Sequence, residues 1–207
     1  MAKSPFLLEI RTGGELKAKL RELIYDVADE FNVYGAARPR AVPHVTLFGP
    51  YNTDQGQEVK RTTQLVLDRY DVVPYRIDGF DAFPEKNVIY ADVVPSEELR
   101  ELRRDLAAEL APLTYNRRSW DKRFYYDFHT TIAFKDVGRK FDAIREYVIE
   151  QYEPKFDEYA TRISSLRQSD MMWEWDVPRG VELRPDEATS AESWEKTMAA
   201  LRDLQSE

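Results

Sequence analysis

No cysteine occurs in the 207 residues, which excludes disulfides, thiolate zinc sites and thiol nucleophiles. No apolar run approaches the length needed to span a bilayer. Glycine is sparse, at 8 residues, and none of them forms a phosphate-cradling loop; Gly13-Gly14 reads as a turn ahead of a helix. The Gly-x-Ser-x-Gly elbow of serine hydrolases does not occur, nor does His-Glu-x-x-His. Histidine itself is reduced to two residues, His44 and His129, lying 129 − 44 = 85 positions apart without a neighbouring carboxylate pattern. Such a pair is a poor ligand set, so neither a metal nor another cofactor is expected. Basic residues are outnumbered, 30 against 38, and the net charge of −8 disfavours attraction to double-stranded DNA while leaving room for a small anionic ligand in a local basic cleft. Met1 to Pro5 runs directly into a strand-like segment with no apolar signal core. The expectation is a cytoplasmic protein with no membrane attachment.

What is present is repetitive in outline. Phe6 to Ile10 reads as a buried strand, followed by Leu16, Leu20, Leu23, Ile24, Val27 and Phe31 at helical spacing. Val88 to Val93 repeats the strand, Ser96 is placed as an N-cap, and Leu99, Leu102, Leu106 and Leu110 repeat the helix. Each half then carries a histidine motif, a helix-like segment (Gln57 to Arg69; Phe141 to Tyr152) and a strand-like one (Val73 to Phe80; Ala160 to Leu166). The chain therefore reads as an α+β fold, β-α-β-α-β twice over, with approximate two-fold symmetry and a central cleft between the lobes. Residues 1–180 are assigned to this two-lobed domain, with lobes of about 1–82 and 83–180 that exchange strands in one version of the reading. Met171 to Val177 is a further strand, and residues 181–207 form an extension whose stripe of Trp194, Met198, Leu201 and Leu204 docks on the body.

Both histidines begin the same pattern, His44-Val45-Thr46 and His129-Thr130-Thr131. With 11 Thr in the chain, the chance of a threonine two places after each is about one in 400, which separates the pair from coincidence. On a strand, residues i and i+2 share a face, so each half presents one imidazole beside one hydroxyl. Imidazole donates or accepts a proton near neutrality, and a threonine hydroxyl can donate to a phosphoryl oxygen. Two opposed imidazoles provide the base for an entering oxygen and the acid for a departing one in an in-line displacement at phosphorus. General acid and base terms of roughly 10²- to 10⁴-fold each suffice only for a reactive ester, and a strained 2′,3′-cyclic phosphate fits that requirement.

Two connectors of more than ten residues precede the motifs, Asn32 to Val42 and Thr114 to Phe124. Long connectors in compact domains are often functional. The first holds Arg38 and Arg40; the second holds Arg117, Arg118, Lys122 and Arg123 among Tyr115, Trp120 and Phe124. Substrate contacts are expected from Arg40, Tyr51, Arg123, Tyr125 and Tyr126.

His44-Val45-Thr46-Leu47 and His129-Thr130-Thr131-Ile132 resemble the paired motifs of the two-histidine (2H) phosphoesterase superfamily, which includes RNA 2′,3′-cyclic phosphodiesterases and so-called 2′,5′-RNA ligases. Phe83-Pro84 with the strand and helix after it extends the similarity over about residues 4–178. The first motif departs from the commoner bacterial pattern, continuing as Phe48-Gly49-Pro50-Tyr51. The resemblance implies metal-independent opening of a cyclic phosphate to a 2′-phosphomonoester, with ligation as the reverse reaction. It makes His44 the proton donor to the departing 3′ oxygen, His129 the acceptor from water, and Thr46 and Thr131 the phosphate anchors. Members act on RNA 3′ ends, small cyclic nucleotides and 2′,5′-linked oligonucleotides, so these are the expected partners; a protein partner is not legible. The alternatives are hydrolysis of 2′,5′-linked oligonucleotides, an RNA-end or nucleotide binding module without turnover, and a partner-binding protein using the terminal helix.

Overall fold

The computed structural model describes residues 4–39, 41–122, 125–151, 153–167 and 170–206. In chain order the strands are β1 (Phe6–Arg11), β2 (His44–Tyr51), β3 (Pro74–Phe83), β4 (Val88–Pro95), β5 (His129–Ala133), β6 (Lys155–Tyr159), β7 (Arg162–Arg167), β8 (Asp170–Asp176) and β9 (Val181–Leu183). The helices are α1 (Gly14–Phe31), α2 (Gly56–Leu67), α3 (Glu97–Leu110), α4 (Phe141–Gln151), α5 (Pro185–Thr189) and α6 (Ala191–Ser206).

Local sequence accounts for most of these elements. The apolar stripe of α1 is buried at Leu16, Leu20, Leu23, Ile24, Val27 and Ala28. The helix stops where Asn32 turns left-handed at φ 51° and its N–H donates to the Ala28 carbonyl. Ser96 caps α3, its hydroxyl accepting from the Leu99 N–H at 3.2 Å. In β2 and β5 the two motifs alternate as expected, with His44, Thr46, His129 and Thr131 half-buried and Val45, Leu47, Thr130 and Ile132 buried.

Two antiparallel sheets result, one ordered β2-β1-β7-β8-β9 and the other β5-β4-β3-β6. The run β4-α3-β5-α4 repeats β1-α1-β2-α2, but the third strands are exchanged: β3 pairs with β4, and β7 pairs with β1. The second sheet is therefore built from the consecutive strands β3 to β6, and the first from the chain on either side of them. The helices cross as well, α1 packing on β5 and α3 on β2, so the buried side chains form one continuous core. In each sheet the motif strand is an outermost strand, and β2 and β5 approach one another. That juxtaposition positions the site.

No periodicity in the chain announces β9, the last strand of the first sheet, or α5, which with α6 covers part of that sheet. Here a polar layer takes the place of an apolar one. Thr46, Glu9, Ser164 and Glu174 stand opposite one another across four strands, and Arg11 stands opposite His44. Arg162 donates to the Ala188 carbonyl at 3.0 Å, to Ser193 at 3.2 Å and to Thr197 at 3.1 Å, fastening α5 and α6 to the sheet. A Cβ at Gly13 would fall inside the Trp194 ring, so the chain end of β1 and the start of α6 touch only because that residue has no side chain. Among the described residues no helix is long and apolar enough to cross a membrane.

Candidate active site

The two imidazoles are held in the same way. His44 Nδ1 lies 2.8 Å from the Val42 carbonyl, and His129 Nδ1 lies 2.8 Å from the Asp127 carbonyl, each two residues upstream. Since a carbonyl only accepts, each Nδ1 carries the hydrogen, and Nε2 is left as the working nitrogen. It is thus the backbone of Asp127 that orients His129, while its exposed carboxylate contributes only weakly to the charge balance there.

Their surroundings differ. His129 packs edge-on to Phe83 and tilted to Tyr90, both with ring centroids 5.2 Å away. Burial pushes its pKa below the ordinary imidazole value; the hydrogen bond to the Asp127 carbonyl opposes this, and the charges of His44 and Lys86 add to it. His44 instead has a carboxyl beside it, Glu9 Oε2 lying 3.6 Å from its Nε2. Glu9 is 1% exposed and neither of its oxygens has a hydrogen-bond partner. Burial raises its pKa, outweighing the attraction of His44 and Arg11.

A carboxyl with a raised folded-state pKa costs stability as the pH climbs from its unfolded value, 4.5, through the raised one, because the folded protein must then ionise it in place. Glu9→Gln is therefore expected to melt at a higher temperature than the wild type above about pH 6 and to lose that advantage near pH 4. Between those limits the gap should widen by at most about 1.4 kcal/mol for each step of one in pH, the slope that a single proton sets. Thermal melts across this range check it, and equal pH dependence in the two proteins would contradict it.

Between the sheets lies a cavity of about 220 Å³ whose wall includes Thr46, Gly49, Phe83, Lys86, Trp120, Tyr125, Tyr126 and His129. One side of it is braced through Gly49. The Gly49 N–H donates to Asp121 at 3.2 Å, and the Trp120 indole donates to the Gly49 carbonyl at 3.1 Å. Gly49 is at φ 109°, and a Cβ there would press on the Phe6 carbonyl and Tyr51. Behind this brace sits Arg103, 2% exposed, donating to the Trp120 carbonyl at 2.8 Å and stacked 3.9 Å from the Tyr126 ring centre. Tyr126 also hydrogen-bonds Thr46, and burial pushes its pKa up to about 12 against the pull of Arg103.

Of the residues expected to contact substrate, Tyr125 is 79% exposed at the cavity and Tyr126 lines it half-buried. Tyr51 is not available: it is 1% exposed, its ring packed on Phe6 and Phe48 in the core, and burial raises its pKa to about 12. Arg40 and Arg123, like Phe124, lie outside the described residues. Arg38 rests on Tyr34 and Arg118 faces Trp120, and neither is in the cavity wall. Lys86, Glu9 and Arg103 were not anticipated. A carboxylate in the middle of the apolar segment Phe6 to Ile10, and an arginine on the apolar side of the Leu99 to Leu110 helix, were the available signals. Among the described residues no three His, Asp or Glu side chains converge to hold a metal ion.

Two outer strands facing each other, each with an imidazole and a hydroxyl, suit acid–base chemistry at phosphorus. The model of the 2′-5′ RNA ligase superfamily matches residues 18–170 of this chain, well over half of it. The chain belongs to that superfamily of 2H phosphoesterases. No curated protein matches it. Among solved structures it is similar to E. coli LigT in its apo form, at 16% identity over 89% of this chain and 96% of that one, with a TM-score of 0.49. It is also similar to E. coli LigT complexed with 3′-AMP (14% identity, 89% and 96% covered, TM-score 0.44) and to Kluyveromyces marxianus Usb1 with uridine monophosphate (12% identity, 82% and 96% covered, TM-score 0.47).

Proposed function

We propose that this chain opens 2′,3′-cyclic phosphates, at RNA 3′ ends or in small nucleotides, to 2′-phosphomonoesters without a metal. The observation that carries the reading is the matched Nδ1 anchoring, which leaves Nε2 as the working nitrogen on each of two strands that approach one another, β2 and β5. Water attacks phosphorus as His129 Nε2 takes its proton, the bond to the 3′ oxygen breaks, and His44 Nε2 protonates that oxygen. The depressed pKa of His129 supports the direction of transfer, since a base must be unprotonated when water arrives. His44, with the Glu9 carboxyl 3.6 Å from Nε2, has a local group with which to share the proton it donates. Thr46 and Thr131, on the same strand faces as the two rings, hold the phosphoryl oxygens, and the exposed ring of Tyr125 offers a face for a base.

The test is incubation of the pure protein, in EDTA, with an RNA oligonucleotide ending in 2′,3′-cyclic phosphate and, separately, with adenosine 2′,3′-cyclic phosphate. A product with the mass of a phosphomonoester whose phosphate is on the 2′ oxygen is the expected result. A 3′-phosphate would reverse the leaving group and overturn the assignment, and no product from either substrate would overturn the reading as a cyclic phosphodiesterase.

A further inference from the structure

A second cavity, of about 340 Å³, lies where the start of α1 meets the chain between α5 and α6. Its wall contains four cationic side chains, Arg11, Lys17, Arg21 and Arg162, and no Asp or Glu among the described residues. Two of the four, Arg11 and Arg162, share the buried Glu174 carboxylate, which is not part of the wall, so in a chain of net charge −8 the wall itself keeps an excess of positive charge. Lys17 and Arg21 are four residues apart on one helix, a spacing that brings two like charges to one face. The N-cap of α1 is Gly13, which makes no side-chain hydrogen bond, and both Gly13 and Gly14 line the cavity. First-turn N–H groups without a side-chain cap favour a bound anion. Independently of the helix end, Arg162 is 4% exposed and, although both of its terminal nitrogens are engaged, its Nε has no partner.

The cavity also lies close to His44. Arg11 stands directly opposite His44 on the neighbouring strand, and Val42, whose carbonyl holds the His44 ring, forms part of the wall. We infer that this cavity binds a phosphate group, of a phosphodiester or a phosphomonoester, one strand away from His44. Two sources share that chemistry: the next phosphate along a polynucleotide whose terminus lies between the histidines, and a separate small phosphate ligand that would act on His44 through Val42.

The intact chain is titrated calorimetrically with inorganic pyrophosphate at low salt, in a His44→Ala/His129→Ala background that removes the imidazoles between the sheets. Adding Lys17→Ala/Arg21→Ala is expected to weaken binding at least about tenfold, the effect of losing one charged contact or more. Lys17→Arg, with the charge kept, should bind as before, and melting temperatures verify that the variants fold. Equal binding with and without the two alanines overturns the inference. With native histidines, a KM that rises about tenfold for a cyclic-phosphate trinucleotide but not for adenosine 2′,3′-cyclic phosphate assigns the site to a backbone phosphate. Unchanged KM for both, with pyrophosphate binding lost, assigns it to a separate phosphate ligand. The titration needs no turnover, so a failure of the proposed activity leaves its result intact.

Discussion

His129→Ala is expected to lower kcat/KM for adenosine 2′,3′-cyclic phosphate by about 10²- to 10⁴-fold, the range of a single general base. The same loss is expected for His44→Ala. Because the two proton transfers belong to one displacement, the double variant should be little worse than the poorer single one. The pH profile separates the roles. In the wild type the rate should climb through the titration of the base, and burial places that pKa below the ordinary imidazole value of 6.5, so the rising limb is centred below it. His129→Ala should lose this rising limb and keep any falling one, and His44→Ala should do the reverse. Residual activity within tenfold of the wild type in either single variant would rule out the mechanism, and exchanged limbs would exchange the two roles.

What could be read from the sequence was whatever depends on a residue's near neighbours in the chain. Alternation placed His44 with Thr46 and His129 with Thr131, and the structure has all four on half-buried faces. The helix over Leu16 to Phe31 and the cap at Ser96 follow from the same short-range rules. Alternation does not carry as far as Tyr51: two register shifts in β2 lie between Thr46 and Tyr51, Phe48 is buried although its parity is opposite to that of Val45, and Tyr51 is in the core.

Strand partners are a different matter, since periodicity identifies a strand and says nothing of its neighbours. Nothing in Val73 to Phe80 marks β3 as leaving the first half for the second sheet; that choice is made by β4 and β6 on either side of it. Lys86 enters the cavity wall because the turn after β3 brings it back beside His129, a consequence of the exchange. Arg103 and Arg162 are charged residues on faces the pattern marks as buried, and their partners, Trp120 and Ala188, come from segments with no periodicity to read.

The largest expected change in stability is at Glu174, which is 0% exposed and holds together the polar layer of the first sheet, a feature the sequence pattern did not disclose. Arg11 donates to it at 2.6 Å, Arg162 at 3.4 Å and the Ser164 hydroxyl at 2.6 Å. Removing the carboxylate leaves two buried or nearly buried guanidinium groups facing each other, whereas the ion pairs themselves add little over well-packed apolar groups. Glu174→Leu is therefore expected to destabilise the protein by about 3–5 kcal/mol, which at this chain length lowers the melting temperature by roughly 6 to 20 °C. Removing the opposing charge as well, in Glu174→Leu/Arg162→Leu, should recover part of the loss although it also breaks the bonds to Ala188, Ser193 and Thr197, and the double-mutant cycle should give a coupling above about 1 kcal/mol. A single variant that melts within a degree or two of the wild type, or two losses that simply add, would mean that the polar layer under α5 and α6 is held by the helices and not by its charges.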